Sequence, residues 1–362
     1  MRNLLPAERY VGPDWFTREM EGWRKRCWLF AAMAQEVAEE GAWRALDLAG
    51  VPVVLWNAGG GLQAYLNVCS HRHSPICHQA AGRGRLQCPY HGWVYGEDGR
   101  VCAIPSRPKF ADLTPERVEE LALKRFRVAR AGDFIFVALD GTVPPLEEYL
   151  GGAMGWLEEM SAGCGARAGA FDTAYAGNWK LVLENTLESY HAACVHPDTL
   201  NPGRGHDSVF EEAGPHSRMF ESNAGKAERS WKLLEPNFEG RGQALAGYCH
   251  TSIFPNLNIG TGYGATYAVM RFAPLAPDLT RVECAVHGCR GPALPGGRAV
   301  LARQWFTDGV LEFVKKVVEE DRAVVEGSQR GIAFAQSDGM LSEEECRIAT
   351  FQRACLRLEG GG

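Results

Sequence analysis

Two short stretches decide how this chain is read: residues 67–77, NVCSHRHSPIC, and residues 87–95, QCPYHGWVY. The first contains Cys69-x-His71 and the second Cys88-x-x-His91, with residues 72–87 between the two pairs. Each loop therefore offers one thiolate and one imidazole. Thiolates are the usual ligands of iron–sulfur clusters, and two imidazoles on one iron raise the reduction potential above that of an all-cysteine cluster. Cys69 and Cys88 would then hold one iron of a [2Fe-2S] cluster, and His71 and His91 the other. A structural zinc accepts the same four ligands, so spacing alone leaves both open. Zinc fingers generally group like ligands, whereas a site with two unlike irons needs the mixed loops found here. His73 and His78 lie off the pattern and read as loop histidines.

Outward from the loops the texture is short and β-rich: ALDLAGVPVVLW, the turn NAGGG, LQAYLNVC and later FRVARAGDFIFVAL. Upstream, Phe16, Met20, Trp23 and Cys27 fall on one helical face of DWFTREMEGWRKRCWLF. Downstream, strand-like runs alternate with NWKLVLENTLESYHAA and the long RAVLARQWFTDGVLEFVKKVVEEDRAVVEGSQ, both helical in pattern. The expected class is α+β, with a helical segment at 1–40 packing with the C-terminal domain, a small all-β domain carrying the two loops at 41–150 and a C-terminal domain of antiparallel sheet and helices at 151–362. A chain of 362 residues can bury a core in each of two domains.

The second constellation is NWKLVLENTLESYHAACVHPDTL, residues 178–200. Glu188 and His191 are i and i+3 and share a face on a continuous helix. His196 would point away on that helix, but the residue before proline is pushed out of helical geometry, so Pro197 lets His196 swing back. A facial triad for Fe(II) needs one carboxylate beside two imidazoles. Asp321 supplies it: on the long helix it sits within the stripe Val310, Val314, Val317, Val318, Val324, Val325 and Ser328, where a carboxylate is costly unless paired or metal-bound. Glu319 falls on the opposite face and Glu320 at the margin.

Bulk properties narrow the classes further. A net charge of −6 with scattered basic residues argues against a nucleic-acid surface. No run of about 18 uncharged apolar residues suggests a membrane span. The N-terminal residues lack the basic flank and apolar core of a secretory signal, so a cytoplasmic location is expected. In a reducing compartment the 12 cysteines read as Cys69 and Cys88 plus buried thiols rather than disulfides.

The order of these motifs, two Cys/His loops with Arg72 and Tyr90-His91-Gly92-Trp93, then Glu-x-x-His-x4-His, then Asp321 ahead of VVEGSQRGI, resembles the oxygenase component of the Rieske non-haem iron oxygenases. Cys77 has no counterpart in the second loop, unlike the respiratory Rieske proteins, whose loops share a disulfide. The resemblance implies a Rieske [2Fe-2S] cluster and a mononuclear Fe(II) held by His191, His196 and Asp321. It also implies O2 as co-substrate, NAD(P)H electrons through a reductase and sometimes a ferredoxin, a helix-grip catalytic sheet, and a head-to-tail homotrimer. In that trimer Glu188 would bridge His91 of one chain to His191 of the next. Asn185-x-x-Glu188-x-x-His191 is closer to the carnitine and choline monooxygenase branch than to naphthalene-type dioxygenases. Hydroxylation or N- or O-dealkylation of a small organic substrate is thus favoured over cis-dihydroxylation of an aromatic ring; a non-catalytic electron carrier or ligand-binding module is the remote alternative. Phe220, Trp231, Tyr248, Phe254, Tyr263 and Tyr267 are candidates to line a substrate pocket.

Overall fold

The computed structural model describes residues 2–200, 208–222, 226–291 and 297–358. Near the N-terminus, α1 (Glu8–Val11) and α2 (Pro13–Arg26) come first, and α2 buries Met20 and Trp23 as their spacing predicts. The helix stops at Arg26, however. Cys27 leads directly into strand β1 (Trp28–Met33), every residue of which is buried. The apolar run WLFAAM has no polar face to offer solvent, so it serves as a fully buried strand rather than a further helical turn.

The chain divides into two compact units, Trp23–Leu146 and Met1–Gly22 with Glu147–Gly362. The division falls at Gly22 rather than after residue 40 because β1 pairs antiparallel with β10 and so belongs to the first sheet. That sheet takes β2 (Ala42–Leu48), β3 (Val51–Ala58), β4 (Gly61–Leu66), β5 (Ala81–Arg83), β9 (Arg125–Ala131) and β10 (Phe134–Ala138) in the order β1-β10-β9-β4-β3-β2-β5. A second, three-stranded sheet joins β6 (Leu86–Gln87), β7 (Val94–Tyr95) and β8 (Val101–Ala103), and α3 (Pro115–Glu120) precedes β9. Val54, Trp56, Tyr65, Leu86, Trp93 and Tyr95 pack into one core with Cys69, Cys77 and Cys88.

In the other unit, α4 (Leu146–Leu150) and α5 (Ala153–Gly163) lead into the long β11 (Cys164–Tyr175). Then come α6 (Trp179–Thr186), α7 (Ala192–Val195), β12 (Ser208–Ala213), β13 (His216–Ser222), α8 (Lys226–Leu234), β14 (Gly247–Ile253), β15 (Leu257–Gly262), β16 (Thr266–Ala276) and β17 (Leu279–Cys289). The seven strands form one antiparallel sheet in the order β11-β17-β16-β15-β14-β13-β12. The 36-residue α9 (Gly297–Ile332) covers one face, packing Val310, Leu311 and Val314 against Phe171, Ala268, Met270, Cys284 and Val286. The chain ends its described course in α10 (Cys346–Arg357). Sheet gripped by a long helix is the arrangement expected from sequence. Among the described residues no helix is long and apolar enough to cross a membrane.

Candidate functional site

In the all-β unit, the first Cys/His loop runs between β4 and β5 and the second is the connection from β6 to β7. The two loops share one backbone construction. Cys69 N donates to Ser74 O at 2.8 Å and His73 N to Cys69 O at 2.9 Å; Cys88 N donates to Trp93 O at 2.8 Å and Gly92 N to Cys88 O at 2.9 Å. The fourth residue after each cysteine is left-handed, Gly92 at φ 73° and His73 at φ 60°. Glycine takes that conformation at no cost and histidine at some. His73, read from sequence as a loop residue, thus closes the first turn.

Cys69 and Cys88 are buried, whereas His71 is half-buried and His91 exposed, their rings 4.6 Å apart. His71 stacks on Trp93 at 4.8 Å with the planes 1° apart. Burial first, then His91 and Arg72, lower the His71 pKa, which keeps a ring nitrogen free to bind metal. Tyr95 was not singled out by the sequence: its hydroxyl accepts from Ser70 N at 2.9 Å and donates to Cys69 Sγ at 3.2 Å. A hydrogen bond to a ligand sulfur is one of the levers on a cluster's potential. Two buried thiols and two imidazoles at the rim fit a cluster with one inner and one outer iron.

In the catalytic unit the local structure differs from the continuous helix expected. α6 stops at Thr186, and Glu188 and His191 lie in the turn that precedes α7. They meet all the same, because Glu188 folds back: Oε1 contacts His191 Nδ1 and Oε2 accepts from His191 N at 3.1 Å. As Pro197 implies, His196 leaves helical geometry, with φ −120° and ψ 43°. On α9, Val318, Asp321 and Val325 are buried while Val324 and Ser328 are exposed, so the inward stripe is narrower than expected but keeps Asp321.

Asp321 Oδ1 lies 3.0 Å from His196 Nε2 and 3.4 Å from His191 Nε2. One ligand atom from each of the three residues lies within 4.8 Å of the others, a spacing a single ion can bridge. His196 Nε2 and Asp321 Oδ1 are both buried and, though close, not aligned for a hydrogen bond with each other. Two orphaned buried atoms facing one point are what a shared metal would satisfy. Burial lowers the His191 pKa, but the Asp321 and Glu188 carboxylates outweigh it and push it up to about 9. Those carboxylates supply negative charge for a cation. Glu320, placed at the margin by the sequence, accepts from Thr199 Oγ1 at 2.6 Å and lies 2.7 Å from His196 Nδ1. Each imidazole thus has its own outer carboxylate, Glu188 for His191 and Glu320 for His196, as metal-binding histidines commonly do. Nothing in the helical periodicity separates Glu320 from an exposed acid; only the return of Thr199 and His196 to α9 does.

Of the six aromatic candidates, Trp231 and Tyr263 stack on each other at 4.4 Å and 7° and pack with Phe238. Tyr267 is fully buried and donates to Gln243 Oε1 at 3.0 Å, and Phe254 packs on Phe351. Phe220 pairs with Cys249 and so lies on the sheet face away from α9. Only Tyr248 occupies the α9-covered face near Asp321, whose charge it feels.

The chain thus combines an all-β unit carrying paired Cys/His loops with a helix-gripped sheet carrying two histidines and an aspartate, the plan of the Rieske oxygenase class. Residues 27–126 match the Rieske [2Fe-2S] domain, and residues 164–359 match the ring hydroxylating alpha subunit (catalytic domain). The chain belongs to the ring-hydroxylating alpha-subunit family. It is 33% identical over 200 residues to the glycine betaine monooxygenase oxygenase subunit of Chromohalobacter salexigens, covering 54% of this chain and 44% of that protein. It is 24% identical over 347 residues to the chloroplastic choline monooxygenase of Beta vulgaris, covering 90% and 70%. The matched part spans about half the length of the glycine betaine monooxygenase subunits. A solved structure of the quaternary ammonium Rieske monooxygenase CntA with L-carnitine superposes with a TM-score of 0.79 at 18% identity, covering 98% of this chain and 95% of that one. For naphthalene 1,2-dioxygenase from Rhodococcus sp. bound to indole the TM-score is 0.77 at 19% identity, covering 98% and 94%.

Proposed function

We propose that this chain is the terminal oxygenase of a multicomponent system that hydroxylates or dealkylates a small organic substrate. The reading rests on one observation above the others: His191, His196 and Asp321 converge, with Glu188 and Glu320 on the outer nitrogens. When bound, a Rieske cluster at Cys69, His71, Cys88 and His91 supplies single electrons, and Fe(II) at the three-residue site activates O2.

The protein's own part is positioning. Glu188 fixes His191 through both a ring nitrogen and the backbone, Glu320 with Thr199 fixes His196, and the buried Val318 and Val325 flank Asp321 on α9. An external reductase, with or without a ferredoxin, would deliver NAD(P)H electrons. Glu188 would link the cluster of a neighbouring chain to this site in a homotrimer. Monooxygenation is preferred because Glu188 stands where naphthalene-type enzymes carry aspartate, and because relatives over both short and long spans are named monooxygenases. Purified protein should contain about three irons and two acid-labile sulfides per chain, as two independent sites require. Zinc at the Cys/His loops would end the proposal. Mass spectrometry of products with a surrogate reductase separates one added oxygen or one lost alkyl group from the two added oxygens of cis-dihydroxylation.

A further inference from the structure

Strand register puts Tyr248 and His250 of β14 on one face of the catalytic sheet, with Gly260 and Gly262 across from them on β15. The register continues through Ala268 to Val286, which pack under α9, so all of these share the α9-covered face. Behind His250 stands Arg347, fully buried on α10. Its guanidinium donates to Ser217 Oγ at 3.0 Å, His250 Nδ1 at 3.0 Å, Leu187 O at 3.4 Å, Ser217 O at 3.4 Å and His250 O at 3.5 Å. All of these acceptors are neutral, and among the described residues no carboxylate lies within ion-pair distance. Burial lowers its pKa to about 10, so it remains a cation at neutral pH. The Glu212 carboxylate of β12 acts on it only from beyond ion-pair distance, and a buried cation without a paired counter-charge is expensive.

Arginine cannot accept a hydrogen bond, so Nδ1 of His250 carries the lone pair and the ring proton sits on Nε2. Burial and Arg347 hold His250 neutral, with its pKa well below the usual histidine value. His250 is only 7% exposed, yet its Nε2–H meets no partner among the described residues. The Tyr248 hydroxyl is also unpartnered there, and burial raises its pKa so that it stays a protonated donor. The phenol lies over Gly260, where a Cβ would come within 2.8 Å of its oxygen, and beside Gly262, over which nothing lies within 4 Å. Neither atom is sealed off from solvent, so both are open to a ligand.

We infer that His250 Nε2–H and Tyr248 Oη–H, backed by the Arg347 charge, form a site for a carboxylate carried by the substrate. Two donors match two carboxylate oxygens, and the anion adds negative charge where no carboxylate is paired with Arg347. The inference deepens the oxygenase reading and rests on it for the role of this face as the substrate side. Two negative charges oppose an anion here: Asp321 on α9, and Glu221, which is cross-strand from Tyr248 and receives Ser208 Oγ at 3.2 Å. Were their field to dominate, neutral ligands would be preferred over acids.

The test measures binding by calorimetry, without turnover, on the metal-loaded oxygenase. The probes are matched acids and primary amides: glycine betaine, carnitine, anthranilate and benzoate, each against its amide. At least one acid should bind roughly tenfold or more tighter than its amide, and Tyr248→Phe and His250→Phe should each weaken it roughly ten- to a hundredfold. Gly262→Leu should block it. Amides that bind as well as acids, no binding by any acid, or acid affinity unchanged in Tyr248→Phe would overturn the inference. Because His250→Phe also disturbs Arg347, the Tyr248→Phe result decides if that variant misfolds. Iron analysis of the same samples keeps the two proposals apart. An iron-replete protein indifferent to acids sinks the carboxylate site alone, and a protein without the second iron sinks the oxygenase reading.

Discussion

At the residue scale, the two adjacent acids on α9 have separate tasks that the structure distinguishes and the sequence ranked only in part. Asp321 shares its Oδ1 between two imidazoles, and its replacement by alanine should abolish mononuclear iron and turnover while leaving the Rieske absorption intact. Metal analysis beside the visible spectrum checks this. Helical position alone puts Glu320 at the margin of the inward stripe. Because it holds His196 Nδ1 and is itself anchored by Thr199, Glu320→Gln should weaken iron binding roughly 10- to 100-fold, again without touching the cluster. Equilibrium dialysis against Fe(II) should show the loss, and wild-type affinity would mean that His196 needs no outer carboxylate. Asp321 was legible because a carboxylate among valines is a conflict that asks for a reason. Glu320 was not, because its partners arrive from residues more than 100 positions earlier.

At the element scale, the segment 178–200 is the place where pattern and fold diverge. Its apolar spacing suits one helix, but the structure breaks it into α6, a turn and α7, which brings both histidines onto α9. The start of α6 is well fixed: Asn178 Oδ1 accepts from Lys180 N at 3.1 Å, its Nδ2 donates to Pro277 O at 2.6 Å, and its backbone N donates to Gln329 Oε1 on α9 at 2.7 Å. Asn178→Ala should therefore cost about 1–2 kcal/mol in denaturant unfolding, the upper range for a lost cap. Further along α6, Glu184 receives Tyr10 Oη at 2.8 Å and Gln352 Nε2 at 3.0 Å, tying segments near both ends of the chain to the helix. Burial pushes its pKa up to about 7, against the lowering pull of Gln352, Tyr10 and Lys180. A raised folded-state pKa contributes stability that is complete below the unfolded value near 4.5 and is lost as pH rises through about 7. Glu184→Gln mimics the protonated acid, so its unfolding midpoint should fall less between pH 5 and pH 8 than that of the wild type. Equal slopes would place the titration elsewhere.

At the scale of the whole molecule, the two-centre plan was readable because each centre is announced by short-range spacing: two Cys/His loops, then paired histidines beside a proline. The edge of the first unit was not, since β1 joins its sheet through β10, about 100 residues away, and no local pattern foretells that pairing. The same plan carries the remaining prediction, which concerns electron flow between chains. Cys69→Ser should remove the cluster from a chain that keeps its iron site, and Asp321→Ala the iron from a chain that keeps its cluster. Each alone should be inactive. If, as proposed, the chain forms a head-to-tail homotrimer with Glu188 joining the cluster of one chain to the iron of the next, co-expressed chains restore a complete path wherever a cluster-bearing neighbour feeds an iron-bearing chain. Random mixing in equal amounts leaves half the chains with iron, half of them beside a good donor, so about a quarter of wild-type turnover should return in a heterologous ring. Transfer confined to one chain would return none, because no single chain then holds both centres. Adding Glu188→Gln to the iron-bearing partner should erase the restored activity even when excess Fe(II) keeps both metal centres filled, as iron analysis checks, and recovery that survives this change would remove Glu188 from the path.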